Sequence, residues 1–267
     1  MSEDVIVVKN LLKKFSDIVA VQNINFDVKK SEVFAFLGPN GAGKSTTIKI
    51  LITLLQPTSG DGTIDNLSVI DNPSGVRKII GYVPQMISVD GTLTAYENLM
   101  LMAKLYDIPG SDRENRIDEV LSFIDLSKQK NLLVRTFSGG MIRKLEIAQA
   151  ILHRPAVLFL DEPTSGLDPI ARKNIWKHLL EIRKIYGTTI FFSTHYMDEA
   201  EEVSDRVAIM HLGKISAIGT VEELKAKTKK AKATLEDAFI YFTGSSLQET
   251  GNFRDIRRTR EVERKLG

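Results

Sequence analysis

The sequence predicts an α/β protein, with buried strands alternating with helices around one long helical insertion. Three observations predict it. Val33–Leu37 and Ala156–Leu160 are continuous apolar runs, the pattern of parallel strands covered on both faces, and Thr188–Ser193 reads as another buried strand. The first two are followed by helical stretches, Thr47–Ile52 and Pro169 to about Tyr186. Between about Thr92 and Leu133, helical spacing takes over, with Tyr96, Leu99, Met100, Leu101 and then Ile117, Val120, Leu121, Ile124 recurring every three or four residues.

The elements follow in order. Val5–Val8 reads as a strand, then Asn10–Phe15 and Ile18–Val21, and Asn25–Val28 alternates as a half-buried strand does. After the helix at Thr47–Ile52, Pro57–Gly62 is dense in turn residues, and Thr63–Asp65 and Leu67–Val69 form a hairpin around Asn66. Ile79–Val83 is a strand that stops at Pro84-Gln85. Asp107–Ser111 divides the helical insertion. A helix starts at Ser138 and runs to about His153. Pro169 suits the start of the next helix, where a missing N–H costs nothing. Val207–Met210 and Lys214–Ala217 make a hairpin around Leu212-Gly213, followed by a basic helical stretch, Val221–Lys232, and an apolar-aromatic one, Leu235–Phe242. The charged tail reads as a solvated end.

Composition narrows the function. With 267 residues, 43% hydrophobic and 26% charged, the chain is of ordinary globular type with room for one or two domains. A net charge of +2 gives no global basic field, so no nucleic acid partner is expected. The absence of cysteine excludes disulfides, thiolate catalysis and zinc-thiolate sites. The acidic start Met1-Ser2-Glu3-Asp4 lacks signal-peptide layout, and no apolar run approaches the ~20 residues of a membrane span. The chain is therefore expected to be soluble by itself and to reach a membrane only through a partner.

Gly38-Pro39-Asn40-Gly41-Ala42-Gly43-Lys44-Ser45-Thr46 reads G-x-x-x-x-G-K-S between a strand and a helix, the context of a phosphate-binding P-loop. Glycines let the backbone wrap an anion, and the helix adds the positive end of its dipole. Lys44 would reach the β- and γ-phosphates, and Ser45 would offer its hydroxyl to Mg²⁺. The chain therefore binds a nucleoside triphosphate. Leu158-Phe159-Leu160-Asp161-Glu162 is an apolar strand ending in two acids, whose burial is costly without a bound group. Asp161 suits the Mg²⁺ shell and Glu162 the base that aligns water. His195 follows the end of another buried strand. Leu37, Leu160 and Ser193 all mark such ends, where ligands of parallel sheets collect, so His195 is expected near the γ-phosphate. Gln85 could ligate Mg²⁺ or water, yet a glutamine in a loop is equally consistent with no role. Ser138-Gly139-Gly140 is a second small-residue helix start. Serine is an ordinary N-cap, so this start is either idle or serves a nucleotide held by another copy.

Taken together, and over nearly the whole chain from Val5 to about Gly244, these residues resemble the ATP-binding cassette (ABC) family of transporter ATPases. Gly38–Thr46 is similar to its Walker A motif, Gln85 to the Q-loop, and Phe137-Ser138-Gly139-Gly140-Met141 to the signature. Leu158–Glu162 resembles Walker B with the catalytic glutamate, Ser165–Asp168 the D-loop, and His195 the switch histidine. Phe15 stands where an aromatic stacks on adenine. Phe137 and Met141 depart from the usual leucine and glutamine, and Phe15 from the commoner tyrosine.

The resemblance implies a P-loop NTPase (RecA-like) core with an antiparallel β subdomain and a helical insertion subdomain. Residues 1–244 would form the nucleotide-binding domain, with the insertion at about 88–152, and 245–267 a charged tail. ATP and Mg²⁺ would be held by Phe15, Gly38, Asn40, Gly41, Gly43, Lys44, Ser45, Thr46, Gln85, Asp161 and Asp168, with Ser138, Gly139 and Gly140 supplied by a second cassette, identical or paralogous, closing head-to-tail. Separate transmembrane permease subunits would place the chain peripherally at the cytoplasmic face of the cell membrane. Ser193–Glu201 and Thr234–Gly244 further resemble the exporter-like ABC-2 branch, which handles drugs, lipids, polysaccharides or ions. The alternative is a soluble ABC ATPase of DNA maintenance or translation. The former carry a long coiled-coil insertion and the latter usually two cassettes, neither of which is seen. A regulator without turnover is disfavoured by the presence of both Glu162 and His195.

Overall fold

The structure, a computed structural model, describes residues 4–244, so the charged tail at 245–267 lies outside the described residues. The chain forms two compact units. The first comprises the described residues of Met1–Val76 and Phe191–Gly267, the second Arg77–Ile190.

In the first unit, β1 (Asp4–Phe15) and β2 (Ile18–Lys29) are 12-residue antiparallel partners. The four short segments read from sequence are thus two long strands. Register shifts between Asp4 and Lys14 bend the pair, and Asn10 and Asn23 take φ of 49° and 48°. Asparagine tolerates this left-handed conformation, and the Asn10 N–H is recovered by Asn25 Oδ1 at 2.8 Å. The other edge of β1 pairs with β4 (Ser59–Ile64), which turns into β5 (Leu67–Ser68). This corrects the reading of Pro57–Gly62 as a turn. Val8, Lys9 and Leu12 of β1 face Gly62, Asp61 and Ser59, and the ladder overrides local turn composition. The hairpin at Asn66 is present, with Asp65 and Asn66 at φ 46° and 68°, as the favoured two-residue turn requires.

Also in this unit, β3 (Val33–Leu37) is buried throughout and runs parallel to β9 (Arg206–His211), which folds back into β10 (Lys214–Gly219). Phe26, Phe34, Phe36 and Phe191 cluster over this layer with ring centroids 4.9 to 6.0 Å apart. Burial of each ring contributes about 1.5–3 kcal/mol. Helix α1 (Lys44–Leu51) follows β3. The basic stretch is helical only as α8 (Val221–Lys227), because Lys229 and Lys232 take φ near 60° and no longer propagate a helix. A capping box of Thr234 and Asp237 then opens α9 (Leu235–Thr243).

A short helix the sequence did not disclose, α2 (Pro73–Ile79), leads into β6 (Ile80–Val83). In the second unit β6 runs parallel to β7 (Val157–Asp161), Ile80 opposite Val157 and Val83 opposite Leu160. The helical segment consists of α3 (Ala95–Leu105), α4 (Gly110–Phe123), two short 3-10 turns and α5 (Gly139–Ile151). Helix α6 (Pro169–Tyr186) runs between the residues that punctuate it, Asp168 as N-cap and Gly187 at φ 67° as C-cap. Strand β8 (Thr189–Thr194) begins here and ends in the first unit, where α7 (Met197–Val203) follows. Among the described residues no helix is long and apolar enough to cross a membrane. The architecture is the expected one: an α/β core with an antiparallel β part and a helical insertion.

Candidate functional site

In the first unit the chain leaves β3 at Leu37 and wraps tightly. The Gly38 N–H donates to Thr194 O at 3.2 Å and the Ala42 N–H to Pro39 O at 3.2 Å. A Cβ on Gly38 would sit 2.2 Å from Met210 O of β9. Gly43 takes φ 103°, and its Cβ would lie 2.4 Å from Ala20 O. Only glycine fits either position. Lys44 is 4% exposed, and its Nζ donates to Gly38 O at 2.8 Å and Pro39 O at 3.1 Å. The ammonium is thus held over the loop at the mouth of α1. That helix starts on Gly43 with no side-chain cap and no acid in its first turn, so its positive end is not offset from within. Ser45 and Thr46 are half-buried there, while Asn40 and Gly41 are exposed.

His195 belongs to the same neighbourhood. The Thr194 carbonyl that accepts from Gly38 precedes it. The Thr194 hydroxyl donates to Glu199 Oε2 at 2.5 Å and accepts from the Tyr196 N–H at 3.0 Å. The turn carrying His195 is therefore fixed on both sides, and its ring lies 4.2 Å from that of Tyr196. Phe15, at the end of β1, is half-buried with Lys13 Nζ 4.9 Å from its ring centroid.

In the second unit Asp161 and Glu162 end β7 at 3% and 7% exposure. Glu162 has φ 49°, a conformation that costs a non-glycine residue of order 1–3 kcal/mol and persists only where its surroundings enforce it. Gln85 Nε2 donates to Glu162 Oε2 at 3.0 Å, and the Ser165 N–H donates to the Glu162 carbonyl at 3.1 Å. The structure thus joins Gln85 to the catalytic candidate and leaves its Oε1 as the atom able to meet a metal.

A buried pair that sequence reasoning missed stands behind Gln85. Arg143 and Glu146, 7% and 2% exposed, meet at 2.9 Å. Burial lowers the Arg143 pKa, while the charges of Glu146 and Asp161 draw it back up. Burial, and then the Asp161 charge, push the neighbouring Tyr82 phenol up. Removing one partner of such a pair costs about 3–5 kcal/mol, since the other charge stays buried. The signal that could have found it is an Arg and a Glu one turn apart among the core positions Leu145, Ile147 and Ala148.

Ser138 is the N-cap of α5, its Oγ accepting from the Met141 N–H at 3.3 Å, and Ser138 and Gly139 are exposed. A depression of about 240 Å³ opens beside Ser138, Gly140 and Met141, with Lys144 on its wall. The departure at Phe137 is absorbed as a core side chain, 8% exposed. Asp168 is exposed and caps α6, its Oδ1 accepting from the Ile170 and Ala171 N–H groups at 3.0 Å each.

The donors suit a magnesium nucleotide. A cradle closed to any Cβ, a buried lysine and an open helix start fit a polyphosphate. In the second unit, the amide oxygen of Gln85 and the carboxylate of Asp161 are donor types that suit a hard cation able to keep several waters. Among the described residues, no cluster of three or more His, Asp or Glu offers a dedicated metal cage.

Comparison with known proteins agrees with this geometry. The ABC transporter family matches residues 21–165. The probable multidrug ABC transporter ATP-binding protein YbhF of Escherichia coli is 38% identical over 241 residues, covering 89% of this chain and 41% of that protein. This chain thus spans less than half of that relative's length. The linearmycin resistance ATP-binding protein LnrL of Bacillus subtilis is 37% identical over 241 residues, covering 90% of this chain and 75% of that one. Among solved structures, a dimeric ATP-binding cassette in a post-hydrolysis state, bound to ADP and Pi, superposes with a TM-score of 0.72 at 29% identity. That match covers 80% of this chain and 98% of the other.

Proposed function

This chain belongs to the ABC transporter family, and on that premise we propose that it is the ATP-binding, ATP-hydrolysing subunit of a membrane exporter, working as a head-to-tail pair of cassettes. The observation that carries the catalytic part is Glu162, a buried carboxylate kept at φ 49° with Gln85 bonded to its Oε2. Strain of this kind persists only where the surrounding structure enforces it, and it clusters at active sites.

Each residue has its part. Phe15 stacks on adenine. The amides of Gly38, Asn40, Gly41, Gly43 and Thr46 and the Lys44 ammonium bind the phosphates. Ser45, Asp161 and Gln85 Oε1 would hold Mg²⁺, which when bound neutralises charge on the β- and γ-phosphates. Glu162 orients the attacking water and accepts its proton, and His195 donates to the γ-phosphate. Ser138, Gly139, Gly140 and Asp168 serve the nucleotide of the second cassette, and the exposure of Ser138, Gly139 and Asp168 supports that use. Separate permease subunits would dock near Gln85, where Met86 and Ile87 are 81% and 66% exposed, placing the chain at the cytoplasmic face of the membrane. The relatives' names favour drug-like cargo. The nucleotide-binding domain covers residues 1–244, with its helical insertion at about 88–152.

Glu162→Gln tests the reading. The variant is expected to keep ATP affinity, to accumulate as a nucleotide-bound dimer in sizing chromatography, and to release phosphate roughly a hundredfold more slowly or worse. Wild-type phosphate release would overturn it.

A further inference from the structure

Arg143 and Glu146 lie outside the motif positions, yet two buried ions are an expensive way to fill a core position. Their bonds explain them. Arg143 Nη1 donates to Pro84 O at 2.7 Å and Nη2 to Gln85 O at 3.2 Å. Glu146 Oε1 accepts from the Ser88 N–H at 2.7 Å and the Ser88 hydroxyl at 2.9 Å. The loop after β6 is therefore pinned at its start by the guanidinium and at its end by the carboxylate, both from one turn of α5. The amide of Gln85 extends from this pinned loop to Glu162.

We propose that Arg143 and Glu146 are positioning residues that set the hydrolytic rate by fixing the Gln85 loop, so that α5, the helix capped by Ser138, governs the placement of Glu162. This rests on the reading of Glu162 as the group that orients water. Neither residue touches nucleotide, and both act through Gln85. Lysine at 143 would keep the charge beside Glu146 but lacks the fork that spans two carbonyls. Ser88, by contrast, is exposed, and its hydroxyl can be removed without opening the core.

The test uses the full chain, with single-turnover phosphate release for rate and equilibrium titration with a non-hydrolysable ATP analogue for affinity. Arg143→Lys is expected to lower the rate about tenfold and Ser88→Ala about twofold, as expected for loss of a charge-assisted and a weaker hydrogen bond, with analogue affinity within about twofold. Both losses should vanish in a Gln85→Ala background, because residues acting through one another are not additive. A full rate in Arg143→Lys, or a loss that multiplies with that of Gln85→Ala, overturns the brace even where Glu162→Gln stops turnover. Wild-type turnover in Glu162→Gln instead overturns the underlying reading of the site, so the two failures show in different variants. Should Arg143→Lys not fold, Ser88→Ala alone decides by the same criterion.

Discussion

Gln85 Nε2 donates to Glu162 Oε2 at 3.0 Å, so the end of β6 and the end of β7 are joined through two side chains as well as through their ladder. The bond restrains a carboxylate whose backbone already sits at φ 49°. Gln85→Ala is expected to cut phosphate release about tenfold and to weaken binding of the magnesium nucleotide by less, since the placement of Glu162 is lost along with one of the Mg²⁺ ligands. Parallel measurement of kcat and of equilibrium nucleotide affinity checks this. A rise in Kd with kcat unchanged would confine Gln85 to binding and remove it from the placement of Glu162.

Lys44 and Gly43 separate charge from shape. Lys44→Met removes the ammonium that lies over Gly38 O and Pro39 O and should weaken ATP binding about a hundredfold, as for a desolvated charge contact. Gly43→Ala places a Cβ 2.4 Å from Ala20 O at φ 103° and should also lower unfolding stability by about 1–3 kcal/mol. Denaturant titration without nucleotide distinguishes the two variants.

Phe15 is half-buried, so its ring contributes little to the core. Phe15→Ala should weaken ATP binding about tenfold, in line with about 1–3 kcal/mol for stacking a base on an aromatic ring, and leave the denaturation midpoint unchanged. Unaltered affinity would remove Phe15 from the adenine site.

His153 lies flat on Tyr106, ring centroids 3.7 Å apart, with Nε2 2.9 Å from Ile80 O. Burial above all lowers its pKa from 6.5 to about 4. The unfolded chain therefore binds a proton that the folded chain refuses between those values. The stability due to the neutral ring is complete above pH 6.5 and is lost as pH falls toward 4, up to about 3 kcal/mol at 1.36 kcal/mol per unit. Melting of the wild type should fall across that window, and His153→Gln, which has no proton to gain, should flatten the curve.

Much of the fold was legible because local chemistry and tertiary demand coincide. Asp168-Pro169 and Gly187 bound α6 as the punctuation of the sequence suggests, and the apolar run into Asp161 is β7. Where they conflict, the sequence misled. Asn10 and Asn23 interrupt alternation without ending a strand, and Ser59–Gly62 pairs with β1 despite its turn composition. The motifs identified the side chains of the site but not what holds them. Nothing local marks Glu162 for positive φ, and the partners of Arg143 and Glu146 lie some 60 residues earlier, a distance no periodicity reports.

The start of α1 has a meaning beyond catalysis. Thr94, Ser138, Asp168, Thr220 and Thr234 each finish their own helix with a side chain, whereas Gly43 has none to give. A phosphate at that position completes the helix from outside, so the fuel is also a structural element. Saturation at a hundred times Kd adds about 2.7 kcal/mol to folding. The heat tolerance of the protein should therefore rise with the concentration of the nucleotide that fills the loop. Melting curves recorded across physiological ATP concentrations measure that dependence directly.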